Sequence, residues 1–306
     1  MLKQLTRAWG RAAYGAAAMG IALGCAGVMS EVVGNRYLPA AVCTLVAVLL
    51  IRPFRRVEEL GLKPRSGAGL RGSGLRNGPR GLGSRTGFSF RNGLRGFGFG
   101  VLVTGGCAAV VLGAGTLAGW ISWGSFHPGD VLVFLITNAV VAILLEAFPE
   151  ELTLRGHTWS ALRSHHRGLI AALGTTLLFL LVPGFSTVVQ LVLSRILGLD
   201  SPGLSLAPAG QDPVSYFILL TVFGLTLIAA RQATGSLWTS IGTHLTFLTV
   251  NRLTVDGADR DSGWSADLAS PDVLLLIPLY LLLAAIIYRR TARYAARVSG
   301  ASRSIA

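Results

Sequence analysis

Long apolar runs constrain this chain more than any other feature of its sequence. Runs long enough to cross a hydrocarbon core of about 30 Å, at about 1.5 Å per helical residue, recur along most of its length. The predicted spans are about 14–34, 37–51, 96–120, 131–149, 168–183, 214–230, 235–251 and 272–288. A hydrophobic content of 52% with 13% charged residues excludes an ordinary soluble domain. The sequence therefore predicts an all-α, polytopic membrane protein with about eight transmembrane helices.

Basic residues predict the orientation of these spans. Every Arg and Lys cluster falls on one side of the predicted membrane, and an aspartate-rich stretch at 256–267 falls on the other. Since basic loops stay in the cytoplasm, both termini are predicted to be cytoplasmic. This topology explains most of the net charge of +13. Anionic lipid headgroups are the predicted partners of the basic loops, and we predict no nucleic-acid partner because no aromatic-interleaved basic module is present.

Four regions follow along the chain. A two-helix segment (1–51) precedes a basic Gly/Arg-rich cytoplasmic loop (52–95), a transmembrane core (96–288) and a basic cytoplasmic tail (289–306). The low complexity of the loop predicts flexibility, with a regulatory lipid-binding arm as the alternative. Apolar residues at helical spacing in "FSTVVQLVLSRILGL" (185–199) predict a separate amphipathic helix at the outer interface. The first apolar run is predicted to be a retained helix rather than a cleaved leader.

The motif "FPEELTLRGH" carries charge directly after the fourth span. A carboxylate at the centre of a membrane helix costs about 2.5–3.5 kcal/mol, so such groups face a protein interior or a wet cavity. Pro149 predicts the start of a new helical turn, with Glu150 and Glu151 at a helix N-terminus. Glu151 stands four residues before Arg155, the spacing of an ion pair. Glu150 is then the freer carboxylate, and Glu146 is a like-charge neighbour one turn earlier.

A histidine intrudes into another span. In "TGSLWTSIGTHLTFLTVN", His244 lies about 13 Å from the start of its helix, near the level that a recessed Glu150 would reach. A buried histidine paired with a recessed glutamate is a candidate functional site. The alternative interpretation is that the glutamates only terminate a span at the inner surface while His244 is a packing residue.

Three stretches resemble one family. "EELTLRG" (150–156) resembles the EExxxR motif of the CPBP intramembrane proteases, the CAAX-processing and bacteriocin-processing group. "FGLTLIAARQATGSLWTSIGTH" (223–244) is similar to that family's third motif region, and "LGLKPR" (60–65) to its segment after the second helix. The resemblance implies a helical membrane fold, hydrolysis of a peptide bond in a membrane-associated substrate, and a location in a bacterial cytoplasmic membrane.

The resemblance also implies roles for individual residues. Glu150 would act as general base on a water, Arg155 would orient Glu151, and His244 would stabilise the oxyanion. In the family a second-motif histidine helps to hold that water or a metal. A divalent metal such as zinc therefore follows from the resemblance alone, and the cofactor is left open. Glu150 with His244 would be a poor zinc site, because such sites usually have three protein ligands.

Two departures from the family pattern put the activity in doubt. The second motif appears as "FLLVP", with Phe179 present and Pro183 where a histidine is usual. In the third motif, Leu248 stands where an Asn or Asp is common, and Asn251 lies about 10 Å beyond His244 along a helix. The remaining histidines, His127, His157, His165 and His166, are predicted to lie too far away or in loops.

These observations leave three hypotheses. The first is an intramembrane endopeptidase that uses Glu150, Glu151, Arg155 and His244. The second is a catalytically degenerate family member that binds hydrophobic peptides or partner helices without cleaving them. The third is a small transporter with Glu150 as proton relay, which is weaker because the spans show no inverted repeat.

Overall fold

The described part of the chain is almost entirely helical. A computed structural model describes residues 2–54, 60–62, 90–200, 203–204, 207 and 212–304. Its long helices are α1 (Leu2–Val32), α2 (Tyr37–Ile51), α3 (Phe90–Leu117), α4 (Pro128–Arg163), α5 (Gly168–Leu197), α6 (Pro213–Thr234), α7 (Leu237–Thr254) and α8 (Leu276–Ser304). Short 3₁₀ turns occur at Arg52–Phe54 and Pro271–Leu275, and β1 (Ile121–Trp123) pairs antiparallel with β2 (Ala266–Leu268). The predicted all-α class is confirmed. The predicted flexible loop lies mostly outside the described residues.

Most of these helices are suited to a bilayer. Among the described residues, 6 helices are long and apolar enough to cross a membrane: α1, α3, α4, α5, α6 and α8. Helix α2 is apolar but has only 15 residues, and α7 has 18 residues and is not among the six. The predicted polytopic membrane protein is therefore confirmed, whereas the number of crossings stays a prediction.

Helix α5 corrects the expectation of a separate interfacial helix at 185–199. The helix runs unbroken from Gly168 to Leu197, with Pro183 inside it. Its polar residues face the protein rather than water, since Gln190 Nε2 donates a hydrogen bond of 2.7 Å to Glu31 on α1. Val192 and Ile196, by contrast, are exposed on the outside of the bundle. The predicted amphipathic pattern is present, but its polar side contacts another helix instead of water.

Helix α4 lies at the centre of the bundle and contacts α1, α2, α5, α6 and α7. Small residues allow this close approach, as in other membrane helices. A methyl group in place of the Gly15 hydrogen on α1 would lie 2.3 Å from Thr158 Oγ1 on α4. On α7, a Cβ at Gly242 would lie 2.3 Å from the Phe97 carbonyl oxygen of α3. Both the motif-bearing helix and the histidine-bearing helix are thereby fixed against their neighbours.

Candidate active site inside the bundle

The backbone of α4 widens on both sides of Pro149. Segments with π-helical hydrogen bonds, Ile143–Ala147 and Glu151–Thr158, flank a short α-helical piece at Phe148–Glu150. The Phe148 amide donates to the carbonyl oxygen of Ile143, five residues earlier. This wider turn accommodates the proline ring, which would clash with the preceding carbonyl in a regular helix.

The prediction that Pro149 starts a new helix is therefore wrong. The chain stays helical through Pro149, and Glu150 and Glu151 lie within α4, far from either of its ends. A helix N-terminus does not stabilise their charge, because the dipole effect is confined to the first turn. Side chains from other helices must do so.

Helix α2 binds backbone carbonyls that the distortion leaves without their usual donors. Thr44 Oγ1 donates a hydrogen bond to the Leu144 carbonyl, and Cys43 Sγ donates to the Leu145 carbonyl over 3.2 Å. Pro149 has no amide hydrogen to offer Leu145. Cys43 thus helps to hold the turn that precedes Glu150.

Glu151 forms the buried centre of the site. Its Oε1 lies 3.2 Å from Arg155 Nη1 and 3.1 Å from His244 Nδ1. The Glu151 and Arg155 side chains are fully buried, and the Arg155 guanidinium stacks 4.5 Å from the ring centre of Phe179 on α5. The ion pair expected from the four-residue spacing is present, and the phenylalanine of the second motif supports it through a cation–π contact.

Glu150 faces the other side of the same histidine. Its Oε2 lies 4.0 Å from His244 Nε2, beyond a direct hydrogen bond but within reach of one bridging water. The Glu150 side chain is 12% exposed, whereas that of Glu151 is fully buried. The rings of His244 and Phe223 pack nearly perpendicular to each other, with their centres 4.8 Å apart. The structure thus brings together all four residues predicted for the site.

The interpretation of the glutamates as a simple helix end does not fit this arrangement. Helix α4 continues for three more turns to Arg163, and every residue from Glu151 to Thr158 is buried.

The turn between α6 and α7, the helix that carries His244, has clear local causes. Gly235 ends α6 in the left-handed conformation, and the Ser236 side chain accepts a hydrogen bond from the Trp238 amide at the start of α7.

Of the segment that resembles the family's stretch after its second helix, the structure describes residues 60–62, which lie at the start of α7. The Gly61 carbonyl accepts a hydrogen bond of 2.8 Å from the Leu237 amide at the start of α7. Leu60 packs beside Gly156 on α4. Gly61 adopts a φ of +77°, which few residues other than glycine take up. This short segment therefore connects α4 with α7 near the inner end of α7.

Sequence reasoning missed a second polar cluster on the outer side of Glu150. Glu146 forms an ion pair with Arg252, so it is not simply a like-charge neighbour of Glu150. Arg252 Nη1 also donates to Asn138 Oδ1 over 3.3 Å, and Asn138 Nδ2 donates to Thr249 Oγ1 over 3.1 Å. The sequence contains a signal for this cluster, because Asn138 is a polar residue in the middle of a predicted span.

The structure offers no substitute for the missing family residues within the part of the chain it describes. Asn251 accepts a hydrogen bond of 3.2 Å from Tyr280 on α8. His157 Nε2 lies 3.1 Å from the Arg11 carbonyl of α1. The three other histidines contact residues away from the site: His127 with Ser125, His165 with Ser164, and His166 with Trp9.

The residues at the site do not fit a metal centre. Across the described ranges, no group of three or more His, Cys, Asp or Glu side chains is arranged to hold a metal ion. Glu151 is already engaged by Arg155 and His244, which leaves Glu150 and one histidine nitrogen. One carboxylate and one histidine nitrogen are fewer protein ligands than a zinc site usually has.

The fold and this cluster define a polytopic helical membrane protein with an ionisable site enclosed by its helices. Residues 131–250 match the family model described as Type II CAAX prenyl endopeptidase Rce1-like. The match confirms the resemblance to the CPBP/CAAX protease family over this region, which runs from the outer part of α4 to α7 and contains all four predicted site residues. No curated protein and no solved structure matches the chain.

Proposed function

We propose that this protein is a membrane-embedded endopeptidase that hydrolyses a peptide bond in a membrane-associated substrate. One observation carries the proposal: Glu150 and His244, 94 positions apart in the sequence, face each other across 4.0 Å inside the bundle. Amide hydrolysis needs an activated water and a donor aimed at the developing negative charge. A carboxylate and an imidazole on either side of a narrow gap supply both.

Glu150 is the proposed general base. The neighbouring carboxylate of Glu151 is held by Arg155 and His244. The Glu150 carboxylate, by contrast, has its nearest described side-chain contact at 4.0 Å, with His244 Nε2. Glu150 accepts a proton from a water in the gap as the water oxygen bonds to the substrate carbonyl carbon. It then returns that proton to the amine that leaves when the C–N bond breaks.

His244 is the proposed oxyanion donor. Its Nδ1 is within hydrogen-bond distance of the Glu151 carboxylate. Because an ionised carboxylate can only accept hydrogen bonds, Nδ1 carries a proton. Nε2 faces the gap and must also carry a proton in order to donate. The donor form is therefore the imidazolium. Arg155 and Phe179 hold Glu151 in place and thereby fix the plane of the His244 ring.

A second candidate function is peptide binding without cleavage. Pro183 stands where the family has a histidine, and no other histidine in the described parts of the chain reaches Glu150. If that histidine is required to hold the water, the protein would bind hydrophobic peptides or partner helices in the same gap. For either function we propose a bilayer location with both termini cytoplasmic and with anionic lipids at the basic loops.

A cleavage assay tests these proposals. The purified full-length protein would be incubated in nanodiscs with membrane-anchored peptides, including prenylated ones, and products identified by mass spectrometry. Glu150→Gln should lower the rate about 10²–10⁴-fold, as expected for loss of a general base. His244→Ala should lower it about 10²–10³-fold, as for an oxyanion donor.

Glu31→Gln is the matched control, because Glu31 binds Gln190 and Ser194 away from the site. Its rate should equal that of wild type. Binding without cleavage by wild type would support the second function, and a wild type that neither binds nor cleaves any peptide would contradict both.

A further inference from the structure

The ion pair between Glu146 and Arg252 has no part in the hydrolytic scheme. Both residues lie inside the bundle, and their side chains are 22% and 15% exposed. Charged residues within a membrane protein are costly and mark functional sites by default. Asn138 and Thr249 extend the pair into a four-residue cluster that bridges α4 and α7.

The cluster connects the same two helices that carry the catalytic pair. On α4, Glu146 lies four residues before Glu150, and on α7, Arg252 lies eight residues after His244. Helices α4 and α7 therefore contact each other through two polar pairs. At the inner level Glu151 binds His244, and at the outer level Arg252 binds α4. The gap between Glu150 and His244 lies beside the inner level.

Arg252 binds α4 at two points on either side of a change in backbone geometry. Asn138 belongs to the regular α-helical part of α4, and Glu146 belongs to the π-helical turn that precedes Glu150. The planar guanidinium reaches both, with Nη1 on Asn138 and Nη2 on Glu146. A lysine ammonium, a single point charge, lacks this fixed fork.

We propose that Arg252 is a positioning residue for Glu150. It clamps the π-helical turn to the regular part of α4 and to α7, and so fixes the distance between the Glu150 carboxylate and His244. The inference rests on the proposed function for its catalytic consequence, whereas the clamp itself is a property of the fold.

The kinetic test separates positioning from substrate binding. In Arg252→Lys and Arg252→Gln, kcat should fall about 10- to 100-fold, because a displacement of about 1 Å at a catalytic group has an effect of this size. KM should stay within about twofold, since binding contacts away from the reacting atoms are unchanged. The control is Arg260→Gln, which removes an exposed ion pair with Asp256 and should leave both constants unchanged. An unchanged kcat in both Arg252 variants would overturn the proposal.

A distance measurement tests the clamp without relying on activity. Spin labels at Val133→Cys on α4 and Asp259→Cys after α7 would report the helix separation by double electron–electron resonance, in a Cys25→Ser background. Cys43 and Cys107 are buried and should not be labelled. Arg252→Gln, or Arg252→Lys if the former does not fold, should broaden the distance distribution. An unchanged distance distribution would contradict the proposal that Arg252 clamps the two helices. A wild-type protein without peptidase activity would contradict only the proposed function.

Discussion

The N-terminal part of α4 (Pro128–Ala142), named the outer half, and its C-terminal part (Glu151–Thr158), named the inner half, differ in what surrounds them. Between Pro128 and Ala142 the helix is regular, and apolar side chains such as Leu132, Val133 and Ile136 are exposed on the outside of the bundle. Between Glu151 and Thr158 every residue is buried, although five of the eight are polar or charged. Polarity and burial therefore increase together, the reverse of a water-soluble protein. In lipid, the neighbouring helices must provide what water would provide elsewhere.

The two halves also differ in how their backbone is supported. The outer half satisfies its own amides and carbonyls by regular helical hydrogen bonds. The inner half and the turn before it depend on other helices, as when the Leu144 carbonyl accepts from Thr44 on α2. Thr158 on α4 in turn donates to the Ala12 carbonyl of α1. The inner half should therefore be more sensitive to changes on its neighbours than the lipid-facing side of the outer half.

Removing the charge partner in the inner half should have the largest effect. Arg155→Met leaves the Glu151 carboxylate buried without the guanidinium of its ion pair, and loss of one partner of a buried pair costs about 3–5 kcal/mol. Chemical denaturation in detergent, followed by circular dichroism, measures this loss. Arg260→Gln, in an exposed pair, should change the free energy of unfolding by about 0–1 kcal/mol. Equal effects of the two substitutions would mean that the inner half is not sealed from solvent.

Filling the contact between α1 and the inner half should come next. Gly15→Ala places a methyl group 2.3 Å from Thr158 Oγ1 and 2.8 Å from the Thr153 carbonyl oxygen. Overpacking of this kind costs about 1–3 kcal/mol. Gly10→Ala in the same helix has open space and should be neutral or stabilising by up to about 1 kcal/mol through helix propensity. The same denaturation measurement compares the two, and a stable Gly15→Ala variant would argue against a close α1–α4 contact.

Loss of the α2 hydrogen bond should have a smaller effect on stability. Thr44→Val removes the donor to the partly buried Leu144 carbonyl, and an unsatisfied acceptor there should cost about 1 kcal/mol, the lower end of the range for buried groups. Thr137→Val is the matched control in the outer half, because Thr137 donates only to carbonyls of its own helix. The difference in unfolding free energy between the two variants isolates the α2 contact. No difference would show that the π-helical turn holds its geometry without α2.

Substitution on the lipid-facing side should have the smallest effect. Val133→Ala and Ile136→Ala remove side chains that pack against no helix core, and surface changes of this kind usually stay within about 0.5 kcal/mol. Leu154→Ala, at a fully buried position in the inner half, should cost about 2–5 kcal/mol in the same assay. If the outer substitutions cost as much as Leu154→Ala, the outer half is covered by another chain.

Local sequence patterns were sufficient for much of the site. The four-residue spacing of Glu151 and Arg155 predicts their ion pair because both side chains then share a helix face. The placement of His244 in an apolar span pointed to a partner in the interior, and Glu151 and Glu150 are that partner. The catalytic roles of these residues stay predictions, since geometry alone does not measure turnover.

Other features needed the assembled fold. Pro149 locally favours the start of a new helix. The helix nevertheless continues through it, because a π-helical turn supported by Cys43 and Thr44 accommodates the proline. The pattern at 185–199 has a polar side, but only the presence of Glu31 shows that this side faces a helix. Periodicity gives the direction of a side chain and not the identity of its neighbour.

The sequence by itself determined the membrane class, the approximate helix positions and the residues able to do chemistry. Hydrophobic length and helical spacing are local properties, and they act over one or two turns. Tertiary structure decided that Arg252 binds Glu146, that Glu151 holds His244, and that Glu150 faces the gap. These contacts join residues about a hundred positions apart, and which of several buried charges meet depends on how eight helices pack around one another.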